Sequence, residues 1–170
     1  MTLIYRRIKD ITDIIDIYNG ITDGIKNEQF SERKLMEIIS LIASENHTFY
    51  MFLDRNKEIR HSFDVVLGFG CLTDNGQIQK IYVFPSTRRR GIGIRISLKL
   101  AWIVTQYKEH LPTIVIKNSI RYWQRKHEDI GYKEVEHSYF TEEKKYVLRD
   151  FDKFVKACKK YKIDKIKKVE

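Results

Sequence analysis

Three consecutive arginines lead into two spaced glycines in the run Arg88-Arg89-Arg90-Gly91-Ile92-Gly93. Glycine lets backbone amides come close to a ligand without side-chain interference. The first amides of a helix have no partner within the helix, and the helix dipole places partial positive charge on them. Diphosphate oxygens satisfy both, and arginine adds charge-assisted hydrogen bonds. These residue types therefore predict a binding loop for a diphosphate at the start of a helix.

Two common nucleotide-binding motifs do not fit this loop. A Rossmann fingerprint needs a third glycine near Ile96, and the sequence has none there. A Walker loop needs Gly-Lys followed by Ser or Thr, which is also absent. The glycine spacing alone does not identify the ligand.

The elements on either side must position the loop. Residues 77–84 alternate between the two faces of a strand, and Pro85 ends that strand. The segment after the loop is long and lacks turn signals, and its apolar residues recur at helical spacing, at Ile92, Ile96, Leu100, Ile103 and Val104. The loop therefore joins a strand to an amphipathic helix.

The rest of the chain predicts a single mixed α/β fold. The Asp74-Asn75-Gly76 turn is a hairpin signal. We expect the sheet to be complete by Phe151, so that residues 1–152 form one domain and residues 153–170 an appended basic helical tail. The predicted order is β-α-α-β-β-β-α-β-α-β-β plus that C-terminal helix, with strands at 3–8, 48–53, 65–72, 77–84, 113–117, 132–140 and 144–151, and helices at 10–18, 31–42, 92–107 and 119–129.

The strand Ile81-Tyr82-Val83-Phe84-Pro85, followed by Arg88-x-x-Gly91-x-Gly93 and a helix, resembles the coenzyme-binding motif of the GNAT superfamily of acyl-CoA N-acyltransferases. The element order also resembles that family over about residues 3–151. The resemblance implies a mixed, mostly antiparallel central sheet flanked by helices, with acetyl-CoA as cosubstrate. It implies that one strand splays from its neighbour and that Val83 and Phe84 pair with the pantetheine arm. The pyrophosphate would be held by Arg88, Arg89, Arg90, Gly91, Ile92, Gly93 and Ile94.

The family often places a glutamate base on the strand before the loop, and this chain departs from that pattern. The corresponding stretch is Gln77-Ile78-Gln79-Lys80. A glutamine cannot take a proton, although Gln79 could orient a water or the substrate. The family's common mechanism of proton removal is therefore in doubt for this chain.

The acid that protonates the leaving thiolate is usually a tyrosine on the helix after the fifth strand. Counting back from Gly131-Tyr132 without a gap selects His127, whereas matching the aromatic pair selects Tyr122 or Trp123. We favour Tyr122, whose alternative role is that of a packed aromatic. The alternative for His127 is an exposed helical histidine.

Two residues precede this helix where the family's chain meets the pantetheine. They are Asn118 and Ser119, and both residue types are also good N-caps. The two roles are compatible, so we expect both residues beside the coenzyme.

Composition limits the partners. The formal net charge is +9, and residues 151–170 hold eight lysines against three acids. This balance favours an anionic partner, which includes coenzyme A and, through the basic tail, nucleic acid. No apolar run or leader points to a membrane. The two cysteines and five histidines lack the spacing of a disulfide framework or a metal site, so we expect a cytoplasmic protein without a metal.

Two functional hypotheses follow. The first is an N-acetyltransferase that moves the acetyl group of acetyl-CoA directly to an amine. The second is a catalytically weak binding module whose basic tail contacts nucleic acid, and a combined form would modify nucleic acid. The sequence leaves open the acceptor, small molecule or macromolecule, and the oligomeric state, a dimer included.

Overall fold

A computed structural model of the chain describes residues 2–9, 13, 15, 32–55, 64–84, 90–107 and 109–169. Among them are eight strands and four α-helices. In chain order the elements are β1 (Leu3–Arg7), α1 (Glu32–Ile42), β2 (His47–Arg55), β3 (Asp64–Thr73), β4 (Gln77–Val83), α2 (Ile92–Tyr107), β5 (Thr113–Lys117), α3 (Arg121–Asp129), β6 (Tyr132–Ser138), β7 (Glu143–Leu148), α4 (Phe151–Lys160), a 3₁₀ turn (Ile163–Lys165) and β8 (Lys167–Lys168). The predicted helix at 10–18 lies largely outside the described residues.

The eight strands form one sheet in the order β6-β7-β5-β4-β3-β2-β1-β8. Two neighbouring pairs, β4–β5 and β1–β8, are parallel and the others are antiparallel. The hairpin predicted between β3 and β4 is present, and Gly76 takes the positive φ of 84° that the tight turn needs. The predicted mixed, mostly antiparallel sheet flanked by helices is confirmed.

Each face of the sheet carries its own core. The larger core lies under α2, a helix whose residues Ile92, Ile96 and Leu100 are all buried. The smaller core lies under α1, which contributes Ile38 against Phe49, Phe69 and other side chains of the central strands. Burial on both faces explains why the central strands read as apolar runs.

The C-terminal segment is part of the sheet, so the expectation that the sheet is complete by Phe151 is wrong. β8 pairs in parallel with β1, and the Val169 amide donates to the Tyr5 carbonyl at 2.9 Å. Four apolar residues of the segment are buried in the larger core, namely Phe154, Ala157, Ile163 and Ile166. The lysines of this segment are exposed, whereas its buried apolar residues attach it to the core.

A buried lysine also contacts this segment. Lys99 of α2 is 3% exposed, and its Nζ donates to the Ile163 carbonyl at 3.4 Å. The same ammonium lies 3.9 Å from the centre of the Trp102 ring. Desolvation lowers the pKa of Lys99 to about 8. The position of Ile163 therefore depends on a specific polar contact as well as on apolar packing.

Candidate functional site

The sheet opens between its two central parallel strands. The pairing of β4 with β5 has two rungs, Gln77–Thr113 and Ile78–Ile114, after which the strands part. A cleft of about 400 Å³ lies beyond them. Its lining comes from both strands, from the start of α3 and from the first residue of β7, and includes Gln79, Lys80, Ile81, Val115, Lys117, Ile120, Trp123 and Glu143. The splayed strand expected from the sequence is therefore present.

The glycine loop lies at the end of β4 where the strands have parted. Gly91 has a φ of 68°, a backbone conformation that side-chain-bearing residues rarely adopt. A Cβ built on it would meet no atom of the described residues within 4 Å. The Arg95 amide donates to the Gly91 carbonyl at 3.2 Å, which closes the first turn of α2. A loop of this form exposes amides to a ligand from outside, as a diphosphate requires.

The predicted coenzyme residues are distributed around this loop and the cleft. Gly93 lies beside Val83 and Trp123, whose atoms would be 3.6 Å from a Cβ added there. Phe84 is buried, and its amide donates to the Leu67 carbonyl at 2.9 Å. The side chains of Ile92 and Ile94 are buried, so only their backbone can serve a ligand, whereas Arg90 is exposed. Arg88 and Arg89 lie outside the described residues.

A basic side chain also lies close to the loop. Arg95 is partly buried on α2, four residues after Gly91, and its Nε has no hydrogen-bond partner within the described residues. Burial lowers its pKa from the usual value of an arginine. The residues here therefore fit a bound anion: backbone amides at a helix start, a glycine that leaves them accessible, and basic side chains nearby.

The aromatic residue that reaches the cleft from α3 is Trp123. It lines the cleft and packs against the larger core. Its neighbour Tyr122 is 70% exposed and lies under the Lys126 ammonium, which is 5.6 Å from the ring centre. Tyr122 is not part of the cleft lining, so the structure does not bring it together with the other predicted catalytic residues. Of the aromatic pair that the sequence offered, the tryptophan faces the cleft.

The predicted alternative for His127, an exposed helical histidine, is wrong. The residue is fully buried. Its Nδ1 lies 2.8 Å from the Trp123 carbonyl, which can only accept, so Nδ1 carries the proton. Nε2 then accepts from the Ser97 hydroxyl at 2.8 Å. Desolvation lowers the pKa of His127 to about 4, so this neutral ring ties α3 to α2.

Gln79 lines the cleft and lies opposite Cys71 in the β3–β4 register. The Cys71 thiol donates to the Leu72 carbonyl at 3.7 Å. Burial raises the pKa of Cys71 to about 12, so the thiol stays protonated at neutral pH. The residue opposite Gln79 on β3 is therefore neutral.

Lys80 is a site residue that the sequence reasoning missed. Its φ is 54°, and the β3–β4 register shifts at this point, between Phe69 and Cys71. The shift is a β-bulge, and Lys80 uses it to reach Glu37 of α1, with its Nζ 2.7 Å from Oε1. The signal in the sequence was the adjacent polar pair Gln79-Lys80, which breaks the alternation of the strand.

Asn118 and Ser119 do not cap α3, so the capping role predicted for them is wrong. The N-cap position is Ile120, which has no side-chain cap. Asn118 instead lies 2.9 Å from His137 through its Nδ2 and that residue's Nε2. Its buried Oδ1 has no hydrogen-bond partner within the described residues. Ser119 is exposed.

The described residues contain neither a metal cluster nor a membrane-spanning helix. No group of three or more His, Cys, Asp or Glu side chains among them could hold a metal ion. None of the helices in the described part of the chain has the length and apolar character needed to cross a membrane.

The chain is similar to known proteins in its structure. No protein-family model matches the sequence, and no curated protein matches it. A GNAT-family protein from Desulfovibrio desulfuricans superposes with a TM-score of 0.64 at 14% identity, over 85% of this chain and 96% of that one. The PaiA N-acetyltransferase from Thermoplasma acidophilum, solved with coenzyme A, has a TM-score of 0.60 at 16% identity, over 88% of this chain and 100% of that one.

A third similar structure is a spermidine N-acetyltransferase from Vibrio cholerae, solved with coenzyme A and spermine. It has a TM-score of 0.57 at 14% identity, over 91% of this chain and 98% of that one. Identities this low establish a shared fold and leave the residues of each site to be judged on their own geometry. The parted β4–β5 pair, the glycine loop before α2 and these superpositions together show that the chain has the GNAT acyl-CoA N-acyltransferase fold.

Proposed function

We propose that the protein is an N-acetyltransferase that transfers the acetyl group of acetyl-CoA to an amine. The observation that carries the proposal is the cleft between β4 and β5 together with Gly91 at its outer end. If the diphosphate of coenzyme A binds at the start of α2, the pantetheine arm attached to it can extend inward along β4. An arm placed there ends between Gln79, Lys80 and the β5 strand.

The residues of the chain have distinct roles in this proposal. Acetyl-CoA supplies an acetyl group activated as a thioester. Its diphosphate would be held by the amides that follow Gly91, with Arg88, Arg89 and Arg90 as charged partners. Val83 and Phe84 would lie along the arm on one side, and Asn118 and Ser119 near it on the other. Trp123 would shield the arm from solvent on the side of α2 and α3.

Proton transfer needs a different explanation from coenzyme binding. Neither nitrogen of His127 is available to a ligand, because one donates to the Trp123 carbonyl and the other accepts from Ser97. Tyr122 faces solvent, so it can serve as the acid only for a ligand that reaches it from outside. Gln79 can position a water or the amine. None of these three side chains supplies an acid or a base inside the cleft, so holding the two reactants together accounts for much of the rate enhancement.

The direct test is calorimetry with acetyl-CoA and with desulfo-coenzyme A, which shares the diphosphate. Both should bind, and Arg88→Ala should weaken both by about 1.5–3 kcal/mol, the contribution of one charge-assisted hydrogen bond. Thiol release on mixing acetyl-CoA with a pool of amines then tests transfer. Absence of binding by either coenzyme would contradict the proposal.

A second candidate function, nucleic-acid binding, is favoured by one observation. A groove of about 230 Å³ lies between α3 and α4, and four lysines line it beside one carboxylate, that of Asp129. Three of the lysines recur at helical spacing on α4, so they share one side of that helix. The four are Lys126, Lys153, Lys156 and Lys160.

A salt series tests this candidate. For single-stranded nucleic acid the slope of log K against log salt is about −0.7 per phosphate neutralised. Replacing the four groove lysines with glutamine should therefore make the slope shallower by up to about 3. Replacing Lys144 and Lys145 of β7 is the control, because they lie outside the groove. Equal, negligible binding by all forms would remove the candidate.

A further inference from the structure

The bulge in β4 turns two consecutive side chains to the same face of the sheet. On β3, Phe69 is opposite Tyr82 and Cys71 is opposite Gln79, so Gly70 faces two residues of β4. Gln79 lies opposite Cys71, which belongs to the core under α1, so the two side chains share that face. Lys80 reaches Glu37 on α1 itself. An ordinary strand would have sent one of the two to the opposite face.

The other face of the same strand is closed. Ile78, Ile81 and Val83 pack in the larger core under α2, together with Trp123. An acceptor that reaches the inner part of the cleft therefore has to come from the side of α1. At that entrance the ammonium of Lys80 and the carboxylate of Glu37 form an ion pair. Two further charged residues, Lys117 and Glu143, line the same cleft.

A ligand can separate the Lys80–Glu37 ion pair at little cost. The two side chains are 26% and 49% exposed, and their charged atoms are 2.7 Å apart. An ion pair in contact with water contributes little to stability, so opening it costs little. A ligand that carries both charges can replace each partner and leave the total charge of the entrance unchanged.

We infer that the acceptor is a zwitterion with neighbouring amine and carboxylate groups, an α-amino acid. This inference rests on the proposed acetyltransferase function. The acceptor carboxylate binds Lys80, and its ammonium group lies beside Glu37. The ammonium must lose a proton before it attacks, and the Glu37 carboxylate takes that proton, a role that no residue of β4 can fill. A simple amine or a polycation would leave the Lys80 charge opposed to its own.

Matched acceptors separate this inference from its alternatives. The test measures kcat/KM of the full chain with acetyl-CoA and each of the twenty amino acids, the corresponding amino-acid amides, phenethylamine and spermine. Each amide keeps the amine and removes the carboxylate charge. We expect the accepted amino acid to exceed its amide by about 10- to 100-fold, the worth of one charge-assisted contact.

Two variants assign the roles. Lys80→Met keeps the length of the side chain and removes its charge, so it should abolish the preference over the amide, mainly through KM. Glu37→Gln should lower kcat and remove the acidic limb of the pH–rate profile. Lys144→Met is the control, because Lys144 is also 26% exposed and is ion-paired, with Glu134, outside the cleft.

The outcomes distinguish the inference from the function it rests on. If acetyl-CoA binds and an amine without a carboxylate is the best acceptor, the zwitterion inference is overturned and the acetyltransferase proposal stands. The same holds if acetyl-CoA binds and none of the twenty amino acids is acetylated. If acetyl-CoA does not bind, the proposed function itself fails.

Discussion

The sheet contains two parallel strand pairs, and they serve opposite purposes. β4–β5 and β1–β8 each have two rungs, Gln77–Thr113 with Ile78–Ile114 in one and Ile4–Lys167 with Tyr5–Lys168 in the other. Beyond its rungs the first pair opens into a cleft with polar residues and a glycine loop at its mouth. The second is reached through the buried Ile163 and Ile166 and closes the outer edge of β1.

The difference lies in what surrounds each pair. At β4–β5 the chain places groups that a ligand can use, such as Gln79 and Lys80, next to strands that have stopped pairing. At β1–β8 it places apolar residues and the Lys99 contact, which hold the final segment down. A short parallel strand pair can therefore open into a binding cleft or close an edge of the sheet, depending on the residues around it. We call the β1–β8 pair with its buried apolar residues the seal.

The largest effect should come from removing the seal. Truncation after Asp152 deletes Phe154, Ala157, Ile163 and Ile166 from the core. At about 1.5–3 kcal/mol for each large apolar side chain, the loss exceeds about 5 kcal/mol, which approaches the whole stability of a domain. We expect the truncated chain to lose its cooperative thermal transition or to aggregate. Truncation after Ile166, which keeps the core residues, should cost much less, and an unchanged melting temperature after Asp152 would refute the seal.

Acidic pH should lower the free energy of unfolding through His127, the buried residue that ties α3 to α2. The pKa of His127 falls from about 6.5 in the unfolded chain to about 4 in the folded one. The unfolded state therefore binds more protons below pH 6.5, and stability falls as the pH drops from there to about 4. The expected loss reaches about 3 kcal/mol at 1.36 kcal/mol per pH unit. Urea unfolding between pH 7 and 4.5 measures it, and His127→Gln should flatten the dependence. An equal slope in both proteins would place the titrating group elsewhere.

Changing the loop should affect binding more than folding. Gly91→Val adds a side chain at a φ of 68°, so backbone strain costs about 1–2 kcal/mol of stability. Its side chain should crowd the amides that follow and weaken acetyl-CoA binding about 10- to 100-fold, measured by calorimetry. Gly76→Ala controls for backbone strain, since Gly76 in the β3–β4 hairpin also has a positive φ, of 84°. Its Cβ would also lie 3.0 Å from Val104, so this variant should lose at least as much stability. Equal affinities in the two variants would show that Gly91 does not face the coenzyme.

The smallest effect should come from Tyr122→Phe. Its hydroxyl is removed from a ring that is 70% exposed and outside the cleft lining. We expect kcat to change by no more than about twofold, against 10²-fold or more for a general acid. Trp123→Leu is the informative partner, because it alters the cleft wall itself and should raise the KM for acetyl-CoA. A large fall in kcat for Tyr122→Phe would instead support its role as the acid.

Local patterns were enough to predict the loop and most of the sheet. The glycine and arginine spacing at Gly91, the hairpin at Gly76 and the helical stripe of α2 are properties of short segments, and short segments determine them. The coenzyme roles, the cytoplasmic location and the oligomeric state stay predictions.

The features that the sequence did not reveal depend on distant contacts. His127 is buried because Ser97, thirty residues away, supplies a hydrogen bond inside the core. β8 consists of two lysines, which carry no strand signal, and it pairs only because Ile163 and Ile166 bring it to β1. The orientation of Lys80 toward α1 depends on the register between β3 and β4, which the sequence of β4 alone does not specify. In each case tertiary contacts outweigh the preference of the local sequence.

The charged residues at the two ends of the sheet also bear on how the protein behaves at high concentration. A bare strand edge can recruit a strand from another molecule and start ordered aggregates. At one edge β8 is short, and both of its residues, Lys167 and Lys168, are exposed. At the other, β6 presents exposed Lys133, Glu134 and Glu136. Charges on edge strands oppose such strand addition, so the lysines of the final segment also help to keep molecules of this protein apart.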